Sequence, residues 1–149
     1  MHVAVLNGPN LNLLGTREPD LYGRVSLEEI EARVVARAAE LGATVTWRQT
    51  NHEGEFVELV QGLHGVDGAL VNAAALTHTS LAVRDAFLAV GTPFVEVHLS
   101  NIFAREEPRR QSLLADLAVG VVAGFGATSY VLALEALIDV LHDRPPGPV

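Results

Sequence analysis

Val3-Ala4-Val5-Leu6, followed by Asn7-Gly8-Pro9-Asn10-Leu11-Asn12-Leu13-Leu14-Gly15 and then by Arg17-Glu18-Pro19 and Tyr22-Gly23, is the stretch on which the reading of this chain turns. The four apolar residues read as a buried first strand, and a long, polar, turn-rich loop leaves its carboxyl end. Loops of about a dozen residues without secondary structure are uncommon in compact domains and usually carry function or are disordered. This one holds amides, an arginine and one of only two tyrosines in the chain.

Beyond that loop, strand and helix signals alternate. Ser26-Leu27-Glu28-Glu29 is a capping box, and the periodic run to Leu41 closes on Gly42, so a first helix is marked at both ends. A second strand is expected over Thr44 to Gln49, a weaker helix from Glu55 to Leu63, and a third strand over Gly68-Ala69-Leu70-Val71. Asn72 to Thr79 reads as a loop, Ser80 to Val90 as a helix stopped by Gly91 and Pro93, and Phe94 to Val97 as a fourth strand. Glu107 to Leu114 is expected to be a short helix, Gly120 to Ala123 a fifth strand, and Ala127 to Leu141 a long apolar helix. This alternation is the signature of an open parallel α/β sheet with helices on both faces. Right-handed crossovers then bring every strand-to-helix loop to one edge of the sheet, where ligands bind. Residues 1–143 are expected to form a single α/β domain, and the proline-rich residues 144–149 a disordered tail.

Composition narrows the chemistry. The chain has 149 residues, enough for one good core, and its formal net charge of −8 argues against nucleic acid or an anionic membrane as a partner. Cysteine is absent, which removes disulfides, thiolate nucleophiles and cysteine zinc sites. Lysine is absent too: all ten basic residues are arginines, so a Schiff base and a phosphate-loop lysine are excluded. No apolar run approaches the roughly 20 residues that span a bilayer, and the N-terminus shows no leader pattern, so a cytoplasmic protein is expected.

Polar residues gather at the predicted strand ends. Glu96-Val97-His98 has the period-two spacing that puts carboxylate and imidazole on one face of a strand. The pair reads either as a proton donor tuned by its carboxylate or as a structural ion pair; a metal site would need a third ligand, which His78 could supply. Tyr22 is a poor base at its ordinary pKa, by roughly 4 kcal/mol at neutral pH. A cation about 4 Å away at an effective dielectric near 20 supplies about that much. Arg17, five positions earlier, could be that cation; a tyrosine that merely packs its ring is the alternative. Arg105 and Arg109 would point the same way on a helical turn, to hold hydroxyls or a carboxylate or to pair with Glu106 and Glu107. Gly124-Phe125-Gly126 before a helix lacks the third glycine of a dinucleotide fingerprint.

With these residues assembled, the sequence from Val3 to about Leu141 resembles the type II 3-dehydroquinate dehydratases. The resemblance rests on the opening motif with Arg17-Glu18-Pro19 and Tyr22-Gly23, on Leu76-Thr77-His78-Thr79-Ser80, and on Glu96 to Asn101 with Arg105-Glu106-Glu107, in the family's order and spacing. It implies a flavodoxin-like five-stranded parallel sheet of order 2-1-3-4-5 and a cofactor-free, metal-free dehydration of 3-dehydroquinate. In that reaction Tyr22, activated by Arg17, would take the proton beside the ketone, and Asn10 would help stabilise the enolate. His98, paired with Glu96, would protonate the departing hydroxyl. Asn72 and the backbone amides of Leu99 and Ser100 would hold the substrate carboxylate, and His78 and Arg109 the ring hydroxyls. Arg105 matches a lid-anchoring arginine, and Asp85 an acid reaching the site from a neighbouring subunit in a homo-oligomer, a dodecamer of four trimers. The chain departs from the family pattern at Ala74 and Ala75, where glycine is frequent, at Pro108, which replaces an aromatic, and at Phe103. A flavodoxin-like module binding FMN or a small acid at the same strand edge is the competing reading, although aromatic residues make up only 5% of the chain.

Overall fold

A computed structural model of the chain describes residues 1–16, 20 and 24–144. Five parallel strands form one sheet: β1 His2–Asn7, β2 Thr44–Gln49, β3 Gly68–Asn72, β4 Phe94–His98 and β5 Gly120–Ala123, in the spatial order β2-β1-β3-β4-β5. The helices are α1 Leu27–Glu40, α2 Glu53–Gln61, α3 Leu76–Thr79, α4 Leu81–Val90 and α5 Thr128–Asp143. This is the flavodoxin-like order expected above.

Side-chain alternation along the strands divides the core into two layers. Val3 and Val5 of β1, Leu70 of β3 and Val95 and Val97 of β4 face α1 and α5, burying Ile30, Val34, Tyr130, Leu134 and Leu137. Ala4, Leu6, Ala69, Val71 and Phe94 point the other way, onto Phe56 and Val60 of α2 and Val83 and Phe87 of α4. Phe87 and Phe94 stack with ring centroids 4.2 Å apart. The helix ends follow the sequence: Ser26 accepts from Glu29 N at 3.2 Å at the start of α1, and Ser80 from Val83 N at 2.9 Å at the start of α4. Among the described residues no helix is long and apolar enough to cross a membrane.

Two expectations fail. The loop over 72–79 contains a short helix, α3, and the helix expected over 107–114 does not form. Pro108 brings no backbone N–H and disfavours helical geometry at Glu107. The following backbone groups find partners elsewhere: Leu113 N donates to Thr77 O at 2.9 Å, and the Ser112 hydroxyl accepts from Leu114 N and Ala115 N at 3.0 Å each. A serine bonding its own downstream amides competes with a helix. Arg105 and Arg109 are therefore held by turns and a 3-10 segment (Ile102–Ala104), not by a helical face.

β1 and β3 run so close at their carboxyl ends that Gly8 N donates to Asn72 O at 2.8 Å, and a Cβ at Gly8 would sit 2.3 Å from Ala73 O. That space is filled by backbone, which cannot rotate away. We expect Gly8→Ala to cost about 2 kcal/mol or more in urea unfolding, as overpacking does. Gly54→Ala, on an exposed turn of α2 with nothing within 4 Å of the new Cβ, serves as the control and should stabilise by about 0.5 kcal/mol. Equal effects at the two sites would refute the close-approach explanation.

Candidate active site

The carboxyl ends of β1, β3 and β4 open onto a cavity lined by Asn10, Asn72, His78, His98, Leu99, Ser100, Arg105 and Arg109, among others. In this strand order the direction of winding reverses between β1 and β3, the place where such sheets bind ligands. Eight of the twelve residues singled out from sequence thus line one cavity. Glu96 lies beneath it, behind His98. Asp85 lies on the exposed side of α4 and is not among the residues lining the cavity of its own chain. Tyr22 and Arg17 lie outside the described residues.

Glu96 and His98 leave β4 on the same face, as their spacing requires. Glu96 is fully buried, and His98 Nε2 meets its Oε2 at 2.9 Å. The other oxygen, Oε1, accepts from the Ser112 hydroxyl at 2.5 Å. Ser112 already accepts from two backbone amides, so its single proton is left for the carboxylate. Both oxygens of a carboxylate withdrawn from water are therefore engaged, which is the condition for burying it. With Nε2 committed to Glu96, Nδ1 is the ring nitrogen left to serve the cavity.

The remaining groups are fixed by bonds that join distant segments. His78 Nδ1 donates to Gln111 O at 2.6 Å, which leaves Nε2 as the second polar atom of that ring. Arg84 of α4 grips the same segment, donating to Leu113 O at 2.7 Å and to both carboxylate oxygens of Asp116, whose carboxyl is held below its usual range by that guanidinium. Arg109 lines the cavity and also donates from Nε to Glu106 Oε1 at 2.8 Å, so the ion-pair reading and the cavity reading both hold for this residue. Glu106 is held below the usual carboxylate range, first by its own backbone N–H and then by Arg109. Arg105 Nε lies 4.0 Å from Glu106 Oε2.

Asn10 adopts a left-handed backbone, φ 70°, that turns its side chain over the strand end, and its N–H donates to Asn51 Oδ1 at 2.9 Å. Asn51 and Gln49, which donates to Gly8 O at 3.2 Å, fasten the opening loop to the end of β2. Ala74 is the other described non-glycine residue with positive φ, 53°. A left-handed residue with a Cβ costs roughly 1–2 kcal/mol, which explains why glycine suits this place and makes the alanine a real departure.

The family model described as dehydroquinase class II matches residues 1–138. The chain belongs to that family. Its relatives include the 3-dehydroquinate dehydratase of Prochlorococcus marinus strain NATL1A, 53% identical over 142 residues that cover 95% of this chain and 98% of that one. The enzyme of the same name from Carboxydothermus hydrogenoformans is 53% identical over 145 residues, 97% of this chain and 94% of the other. Among solved structures, the type II dehydroquinase of Propionibacterium acnes superposes with a TM-score of 0.88 at 38% identity, covering 93% of this chain and 96% of that one. The type II dehydroquinase of Butyrivibrio crossotus gives 0.89 at 36%, with 92% and 97% covered.

Within this class II dehydroquinase fold, Ser112, Gln49, Asn51 and Tyr130 escaped the sequence reading. Serine before a turn, or a tyrosine inside an apolar helix, carries no local mark of the carboxylate or amide it will meet. Ser112→Ala removes the only proton donor to Glu96 Oε1 among the described residues, together with the acceptor for two amides. We expect a loss of about 1–3 kcal/mol in denaturant unfolding, largely restored in Ser112→Thr. An unchanged midpoint would refute the clamp.

Proposed function

We propose that this chain dehydrates 3-dehydroquinate to 3-dehydroshikimate by an anti elimination through an enolate, a hydro-lyase reaction of the shikimate pathway. The observation that supports it best is the buried Glu96–His98 pair opening on a cavity whose other polar groups include Asn10, Asn72, His78 and Arg109. Eliminating water beta to a ketone needs a base, an enolate stabiliser, an acid and a grip on the substrate.

In the proposed sequence Tyr22, kept anionic by Arg17, removes the proton from the carbon next to the ketone. The electrons move onto the carbonyl oxygen, and Asn10 stabilises the charge, through a water. The enolate then collapses: the ketone re-forms, the electrons of the enolate double bond move to make the new carbon–carbon double bond conjugated with it, and the carbon–oxygen bond to the hydroxyl breaks. His98 gives that oxygen the proton that makes it water, and Glu96 stabilises the ring when it is protonated. Asn72 with the amides of Leu99 and Ser100 holds the carboxylate, and His78 and Arg109 hold ring hydroxyls. Arg105 anchors the segment that closes the site. No metal or organic cofactor takes part.

The assembly belongs to the same proposal. Asp85 is exposed on α4 and lines no part of its own cavity, which fits an acid supplied to a neighbour's site in a homo-oligomer of twelve chains arranged as four trimers. We place residues 1–143 in one catalytic domain acting in the cytoplasm, with no nucleic-acid or membrane partner.

Purified protein given 3-dehydroquinate should produce the conjugated enone, read by its ultraviolet absorbance, at a rate unchanged by EDTA. Activity lost in chelator and restored by a divalent ion would refute the metal-free course. Tyr22→Phe should lower kcat by a factor of about 10²–10⁴ with little change in KM, because the hydroxyl acts on a proton in flight only in the transition state. Near-normal turnover would make Tyr22 a packing residue. Light scattering with assays at rising dilution tests the assembly: a fully active monomer would exclude the shared site, and Asp85→Ala should raise KM in an intact oligomer.

A further inference from the structure

Asn7 and Asn72 are register partners on β1 and β3, so their side chains end side by side at the point where the sheet reverses. Between them stands the hydroxyl of Tyr130, from the first turn of α5, fully buried and packed on Trp47 with ring centroids 5.7 Å apart. Neither Tyr130 nor Asn7 lines the cavity, and the reaction above uses neither.

The bonds among these three side chains run in one direction. Asn7 Nδ2 donates to Arg48 O, a backbone carbonyl of β2, at 3.0 Å, and a carbonyl can only accept. The Asn7 amide is thereby oriented with Oδ1 toward Tyr130, whose hydroxyl donates to it at 2.7 Å. A phenol has one proton, so Tyr130 can only accept from its second neighbour, and Asn72 Nδ2 donates to it at 2.9 Å. At the other end of that amide, Ala74 N donates to Asn72 Oδ1 at 3.1 Å. Burial pushes the Tyr130 phenol well above its ordinary range, with the Asn72 bond acting the other way, so the hydroxyl keeps its proton.

If the Asn72 amide were turned over, Tyr130 would face two carbonyl oxygens with one proton, and the Asn72 amide nitrogen would meet the Ala74 N–H, donor against donor. Neither group could turn to water, because Asn7 is fully buried and Asn72 is 4% exposed. We infer that Tyr130 and Asn7 are positioning residues that fix the Asn72 amide with its remaining N–H as a donor for an anionic group in the cavity. This rests on the proposed role of Asn72 as the grip on the substrate carboxylate.

The test is a double-mutant cycle in the intact oligomer, with 3-dehydroquinate as the substrate and kcat and KM measured for each protein. Tyr130→Phe keeps the ring and deletes the relay. It should raise KM about tenfold, the scale of one hydrogen bond to a charged group, and change kcat much less. Asn7→Ala, which touches nothing in the cavity, should do the same, since the tyrosine proton would then turn to Asn72 Oδ1 and release the flip. This second variant decides the question if Tyr130→Phe does not fold. In an Asn72→Ala background, either change should leave KM within about twofold, because their effect passes through that amide. KM values unchanged in both single variants, or effects that multiply with that of Asn72→Ala, would overturn the inference. A wild-type protein that does not turn over 3-dehydroquinate would instead refute the proposed function itself.

Discussion

A carboxylate fully buried in the middle of a central strand is the constraint on which the site is built. Glu96 is accommodated in that place because His98 and Ser112 meet its two oxygens at hydrogen-bonding distance. Satisfying it ties β4 to a segment that is otherwise irregular, since Ser112 spends its lone pairs on Leu114 and Ala115 and its proton on Glu96. The same segment carries Arg109 and, through Gln111, holds His78. One electrostatic requirement therefore brings His98, Arg109 and His78 into a common frame.

The other half of the site depends on closeness of backbone. Gly8 lets the end of β1 approach Ala73 at a distance that no side chain permits, and this places Asn7 beside Asn72. The chain then turns sharply through Asn10 and Ala74, both left-handed. Both residues line the cavity at the strand ends. On the face of the sheet that Asn7 and Asn72 share with Val5 and Leu70, α5 sends Tyr130 between the two asparagines, so a helix more than a hundred residues later in the chain completes an interaction begun by the first strand.

The part of the site that was illegible in sequence is the part made of one-sided contacts. The pairing of Glu96 with His98 could be read because both sit on one strand two residues apart, where pleat geometry alone sets their direction. Asn10, Asn72 and His78 could be placed at the carboxyl edge because each ends or follows a strand that the apolar runs mark. The expectation of a helix over 107–114 failed because local propensity competed with tertiary partners: Pro108 withheld an N–H, and Thr77 O and Ser112 took the donors a helix would have used. Nor could any spacing rule announce that Gln49 and Asn51 at the end of β2 would hold the opening loop.

By itself the sequence determined the alternation of strands and helices, the two apolar layers, the exclusion of lysine and cysteine chemistry, and the carboxylate–imidazole pair. All of these follow from periodicities of two and 3.6 residues and from which side chains exist at all. The strand order came from resemblance, not from the pattern of the elements, which alone does not distinguish among parallel sheets. The tertiary structure decided the orientation of each amide, the donors to Glu96 and the path of residues 105–113. A hydrogen-bond partner is chosen by what folding brings within about 3 Å, and that distance is set by the whole packed sheet and not by any neighbour in the chain.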